Sequence, residues 1–202
     1  MTTGLRERKK AATREALHNA AVHLALACGI ESLTVEAIAD AAFVSRRTFS
    51  NYFANKEQAL MHHDRMRAVR LVELVRARPA KESPRTALLR ATAQLHAEYP
   101  DVPEARYRQL RLHPALLSEL AAAYAAVERD LAEAVERRLP DRPDRVLCAR
   151  MLASAFLVVL RIAGQTSLEQ PERNFMELAE QALTFTYEGF RQETQDASDG
   201  AV

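Results

Sequence analysis

A chain of 202 residues with 28 Lys/Arg, 27 Asp/Glu and a formal net charge of +1 has no bulk electrostatic reason to seek a polyanion or a membrane. Five glycines, set against many Ala, Leu, Glu and Arg, point to a nearly all-helical protein and leave little material for a glycine-rich phosphate cradle. Its two cysteines, Cys28 and Cys148, lie in apolar helical runs and read as buried, reduced thiols.

In chain order, helical spacing recurs almost throughout and strand alternation does not. The opening "MTTGLRERKKAATR" goes straight into charge, unlike a signal peptide, and Arg6, Arg8, Lys9, Lys10 and Arg14 make a basic arm. A first helix is expected over about 6–28, with Leu17, Ala20, Ala21, Leu24 and Cys28 as its apolar stripe and Gly29 as its C-terminal cap. Thr34 is placed to N-cap a short helix reaching Ala42, with Val35, Ile38 and Ala39 inward. After the turn "FV", Ser45 caps a second short helix to about Phe53. Asn55, with Gln58 three residues on, resembles a capping box for a long fourth helix through about Arg78. The polar "RPAKESPR" reads as a linker, with Ser83 and Pro84 opening the next helix. Further starts at Asp101, Pro114, Pro143 and Pro171 give helices of about 84–98, 102–112, 114–139, 143–165 and 171–192, before a polar, frayed tail "QETQDASDGAV". The longest apolar stretch, "MLASAFLVVL", covers about half a bilayer span and is closed by Arg161, so no membrane partner is expected and the chain reads as cytoplasmic.

Helix, tight turn, helix is the helix-turn-helix plan. Its helices cross nearly at right angles, so the inward residues must be small or apolar, and Ile38, Ala39, Ala42, Val44, Phe49 and Tyr52 meet that need. The outward face is then Arg46, Arg47, Thr48, Ser50 and Asn51: short, polar and basic, as entry into the major groove of double-stranded DNA requires. Arginine reads guanine through two hydrogen bonds, Asn51 suits adenine, and the Thr48 methyl suits thymine. A merely solvated helix face beside a core hairpin would not need six inward positions and a polar face to agree.

The stretch "TVEAIADAAFVSRRTFSNYFANKEQALM", Thr34 to Met61, preceded by "AAVHLALACGIESL", resembles the tetracycline-repressor (TetR) family of transcriptional regulators over about the first 60 residues. The resemblance implies an all-α chain with a helix-turn-helix DNA-binding domain at 1–55 and a helical ligand-binding and dimerisation domain at 56–202. It implies that Thr34, Tyr52 and Lys56 hold phosphates while Arg46, Arg47, Thr48 and Asn51 face bases, with Ser45 and Ser50 completing the DNA-binding set. Phe43 stands where the family usually has glycine. The turn is expected to keep its positive φ, with the ring partly buried beside the first helix.

In the C-terminal two thirds, Val146, Met151, Leu152, Ala155, Phe156 and Val159 make a broad apolar face on one helix, and Phe175, Leu178, Ala179, Ala182, Leu183 and Phe190 make another. Two such helices exceed what one core needs, and a four-helix bundle across a two-fold axis, hence a homodimer, is expected. "YRQLRLHPAL" supplies Tyr107, Arg108 and Arg111 as ligand candidates by loose similarity to acyl-CoA-binding members of the family. Arg161 is a candidate cation for a carboxylate or phosphate. Neighbouring His62 and His63 project about 100° apart on a helix and do not share a metal ion. With no Ser-His-Asp order or paired-carboxylate motif, no enzyme activity, cofactor or metal is expected. The reading is a homodimeric repressor that binds a palindromic operator and responds to a small apolar or amphipathic effector, acyl-CoA-like by that similarity. The alternative, a helical enzyme or carrier keeping the helix-turn-helix as scaffold, predicts no sequence-selective DNA binding.

Overall fold

The computed structural model describes residues 3–99 and 110–188. Among them all regular structure is helical: α1 (Thr3–Cys28), α2 (Val35–Ala41), α3 (Arg46–Ser50), α4 (Lys56–Leu60), α5 (His62–Ala77), α6 (Pro84–Glu98), α7 (Pro114–Glu136), α8 (Arg145–Glu169) and α9 (Phe175–Glu188). The chain divides into two compact units. The first takes the described residues through Arg70 and 110–126; the second takes Leu71–Tyr99 and runs on from Val127. The division therefore falls inside α5 and α7.

In the first unit, α1 turns a buried stripe of Leu17, Ala21 and Ala25 toward Ile38 and Ala39 of α2 and Phe49 of α3. Leu116 of α7 joins the same core, which is why this unit reaches beyond the first 60 residues. Each fully buried large side chain contributes about 1.5–3 kcal/mol of transfer free energy. The short helices start where the sequence supplies caps: Thr34 Oγ1 accepts from the Ala37 N–H at 3.1 Å and Ser45 Oγ from the Thr48 N–H at 3.0 Å. Asn55 Oδ1 accepts from the Gln58 N–H at 2.7 Å, while Gln58 Oε1 reaches back to the Ala54 N–H at 3.2 Å. Gly29, at φ 82°, closes α1 and donates to the Ala25 carbonyl. Cys28, the last residue of α1, is exposed rather than buried; it and Cys148 are both free thiols.

The expected fourth helix is broken at Met61, whose φ of −91° and ψ of 14° leave the helical well. The Ala59 carbonyl, which an unbroken helix would give to the His63 N–H, takes a hydrogen bond from His18 Nδ1 at 2.9 Å. Met61 itself is buried in the first unit's core.

In the second unit, α8 buries Ala149, Ala153, Phe156 and Leu160 and packs against α9, which buries Leu178, Ala179 and Leu183 and also touches α6. Arg138 closes the C-terminus of α5 by donating to the carbonyls of Arg78 at 3.0 Å and Pro79 at 2.8 Å. The last two helices begin later than the prolines suggest. The Asp144 carboxylate is held by Arg142, which lowers its pKa to about 2, and it does not cap α8. Asn174, not Pro171, opens α9, accepting from the N–H groups of Met176 and Glu177. Although α8 is long and apolar enough to cross a membrane, its Ala149–Ala163 face is core.

Candidate nucleic-acid interface

Helix α3 is held at both ends. Ser45 caps its start, and the N–H groups of Tyr52 and Phe53 bond back to the Phe49 carbonyl at 2.8 and 3.0 Å. Phe49 is buried and its ring lies 5.8 Å from that of Phe53, so the helix is anchored by one face. The opposite face presents Arg46, Arg47, Ser50 and Asn51 exposed, with Thr48 half-buried. The Ser45 and Thr48 hydroxyls lie 2.9 Å apart. An anchored helix with an exposed basic face presents its side chains without the ordering cost of a loop.

The basic arm belongs to the same surface, because Arg6, Lys9 and Lys10 fall within the first turns of α1. Together with Leu5, Glu7 and Thr13 they line one wall of an open cleft of about 700 Å³, a net cationic wall, whose other wall is Thr48, Asn51 and Tyr52. The guanidinium of Arg14 sits 5.8 Å over the Tyr52 ring, tying α1 to the segment after α3. Cationic side chains facing hydroxyl and amide groups across an open groove fit a sugar-phosphate strand.

Several expected site residues stand differently. Lys56 is turned inward: its ammonium donates to the carbonyls of Ile30 at 2.7 Å and Leu33 at 2.8 Å, closing the loop between α1 and α2 and leaving one of its three N–H groups for a phosphate. Arg46 is paired with Glu36 on α2, Nε to Oε1 at 3.0 Å. Phe43 has a φ of 55°, so the turn keeps the glycine-like shape, but its ring is 95% exposed and packs on nothing. Thr34 keeps its hydroxyl proton, since its oxygen serves as the cap acceptor.

Of the ligand candidates, Tyr107 and Arg108 lie outside the described residues. Arg111 makes a two-point ion pair with the buried Asp64, Nη2–Oδ1 at 2.6 Å and Nη1–Oδ2 at 3.0 Å, and so is engaged within the first unit. Arg161 is half-buried on α8 and forms no hydrogen bond or ion pair among the described residues.

Sequence reasoning missed Glu36 and His18, and it placed Arg14 in the basic arm without its seat over Tyr52. Glu36 and Arg14 act through partners 10 and 38 positions away and carry no local signature. His18 was hidden among the alanines of α1. Its ring is buried against His63, 3.9 Å between centroids, with His62 at 6.0 Å and Glu15 bonded to His63. Burial, and then the neighbouring His18 and His63, hold His62 down at about 4. Among the described residues no group of three or more His, Cys, Asp or Glu is arranged to hold a metal ion.

Residues 17–60 match the model of bacterial regulatory proteins of the tetR family, and residues 78–191 match that of the MftR C-terminal domain. The HTH-type transcriptional regulator TcmR of Streptomyces glaucescens is 30% identical over 171 residues, 80% of this chain and 76% of that protein. Among solved structures, the TetR-family transcriptional repressor FadR of Thermus thermophilus, in complex with lauroyl-CoA, is 26% identical with a TM-score of 0.55, covering 87% of this chain and 94% of that one. The fatty acid degradation regulator FadR of Bacillus halodurans shares the fold at 20% identity and a TM-score of 0.54, covering 89% and 96%.

Proposed function

The chain belongs to the TetR family of bacterial regulatory proteins, and on that premise we propose that it is a repressor: a homodimer that holds a palindromic operator and releases it when an amphipathic, anionic ligand binds its second unit. The observation that carries the reading is the capped, exposed basic face of α3, set across a cleft from Arg6, Lys9 and Lys10. A five-residue helix reads too few base pairs for useful specificity, so two copies must enter major grooves about one turn or a small multiple apart.

What supports the second copy is the outer face of α8. Leu147, Met151, Val158 and Ile162 recur at helical spacing and are all exposed, Met151 at 64%, behind a face that is already core. Phe185 is exposed on α9. The apolar residues of these helices therefore split into an inward set and an outward set, and the outward set suits a four-helix bundle about a two-fold axis. Support for the ligand comes from the lauroyl-CoA complex of the Thermus relative and from Arg161, whose half-buried charge lacks a counter-ion among the described residues. A fatty acyl chain among the apolar helices with a phosphate near Arg161 satisfies both. The ligand acts only by favouring a dimer whose reading helices are wrongly placed, and linkage requires operator DNA to weaken ligand binding by the same factor.

The test is sedimentation of wild type and Met151→Glu on a duplex selected by the wild type from a random pool, with and without lauroyl-CoA. Two copies per duplex, release by lauroyl-CoA, and a monomeric, weakly binding Met151→Glu are expected. A wild-type monomer that binds the duplex tightly, or binding untouched by lauroyl-CoA and a panel of other acyl-CoAs, contradicts the dimer or the ligand respectively.

A further inference from the structure

Two adjacent arginines open the recognition helix, and the structure distinguishes them. Arg46 is the first residue of α3 and Glu36 the second of α2, and both helix starts are fixed by side-chain caps, from Ser45 and Thr34. The backbone on each side of the Arg46–Glu36 contact is therefore set before either side chain chooses a rotamer. Arg47, about 100° further round the helix, has no hydrogen bond or ion pair among the described residues.

The pair's value does not lie in stability. Its side chains are 73% and 56% exposed, and ion pairs that open to solvent contribute little. Nor does α3 favour a cation at its own N-terminus, where the helix presents partial positive charge. Glu36 is placed differently: an anion in the first turn of α2 is favoured by that helix, which makes it a steady counter-charge. Its carboxylate lies against Nε, one edge of the planar guanidinium. The two terminal Nη groups stay available, and those are the donors that match the O6 and N7 acceptors of guanine. A long, exposed arginine otherwise spreads over many rotamers, and each must be given up on binding.

We propose that Glu36 is a positioning residue that aims Arg46 at a guanine, so that Arg46 is the sequence reader of the pair and Arg47 serves the phosphate backbone. The proposal rests on the DNA-binding reading above. It makes two opposite demands on Glu36. As a negative charge near phosphates it weakens binding to every sequence; as a support for Arg46 it sharpens the choice of one base pair in each half-site. A carboxylate that merely sat nearby would do only the first.

The experiment selects a duplex from a random pool with the wild-type protein. It then measures affinities of wild type, Glu36→Gln, Glu36→Asp, Arg46→Ala and Arg47→Ala on that duplex, on its single-base-pair variants and on random duplex. Arg46→Ala should lose about 5- to 150-fold discrimination at one position per half-site. Glu36→Gln should lose part of the discrimination at that same position while binding random duplex as well as or better than wild type. Glu36→Asp should keep more of it than Glu36→Gln, and Arg47→Ala should weaken all duplexes alike. Full discrimination in Glu36→Gln, or a uniform loss in Arg46→Ala, overturns the assignment while DNA recognition stands. A wild-type protein that selects no sequence overturns the DNA-binding reading and this proposal with it.

Discussion

Replacing Phe43 by glycine should stabilise the protein, against the usual direction of large-to-small changes. At φ 55° a residue with a β-carbon sits in the left-handed region, at a cost of about 1–2 kcal/mol. Glycine removes that cost but widens the unfolded ensemble, offsetting about 0.5–1 kcal/mol. The ring adds nothing to the other side, because it is 95% exposed and its removal forfeits almost no buried area. The turn itself does not depend on the side chain: the Phe43 N–H donates to the Asp40 carbonyl at 3.0 Å and the Val44 N–H to the Ala39 carbonyl at 2.9 Å. The net gain is about 0.8 kcal/mol, or roughly 2–3 °C in melting temperature for a chain of this size. Phe43→Ala keeps the strain and loses only an exposed ring, so it should melt close to wild type; Phe43→Asn, tolerant of this conformation, should fall between. Calorimetric melts of the four proteins decide the matter. If Phe43→Gly melts at or below Phe43→Ala, the left-handed turn is not the source of strain, and the placement of Arg46 and Arg47 after it loses its basis.

Lys56→Met keeps the length of the stem and deletes the ammonium, leaving the Leu33 carbonyl without that donor and the Ile30 carbonyl with the Leu33 N–H alone; urea unfolding should show a loss of about 1–3 kcal/mol, and a negligible loss would mean the ammonium does not hold the loop. Replacing Arg6, Lys9 and Lys10 together by alanine should lower the slope of log affinity against log salt by about 2–3 units at unchanged base preference, whereas an unchanged slope removes the arm from the interface. His62 is held at about 4 from an ordinary 6.5, so the fold favours its neutral form. Its contribution is present above about pH 6.5 and is lost as pH falls from there toward about 4. Melting temperature should drop across that window and drop less in His62→Asn; an equal drop would exclude His62 as its cause.

What could be read in the sequence was what neighbouring residues decide. Thr34, Ser45, Asn55 and Gly29 act on backbone groups within four positions, so caps and helix starts were visible, as were the inward Ile38, Ala39 and Phe49. The positive φ at Phe43 was legible because the turn demands it; the ring's exposure was not, because only the packed unit shows that no neighbour reaches it. Long-range partners account for the other differences. Lys56 finds carbonyls 26 and 23 residues back, Arg111 finds Asp64 47 residues back, and the break after α4 follows a bond from His18 across 41 residues. Helix α8 is apolar nearly all round, so its composition announced more than one buried face without saying which residues turn inward; packing against α9 assigns Phe156 and Leu160 to the core and leaves Met151 and Ile162 outside.

The most direct test of the central claim is selection of bound duplexes from a random pool by the wild-type protein at physiological salt, followed by sequencing. A regulator that reads DNA through paired copies of α3 should enrich an inverted repeat whose half-sites are centred about 10–10.5 base pairs, or a small multiple of that, apart. Recovery of no common sequence, or of a single half-site without its mirror image, would contradict the account.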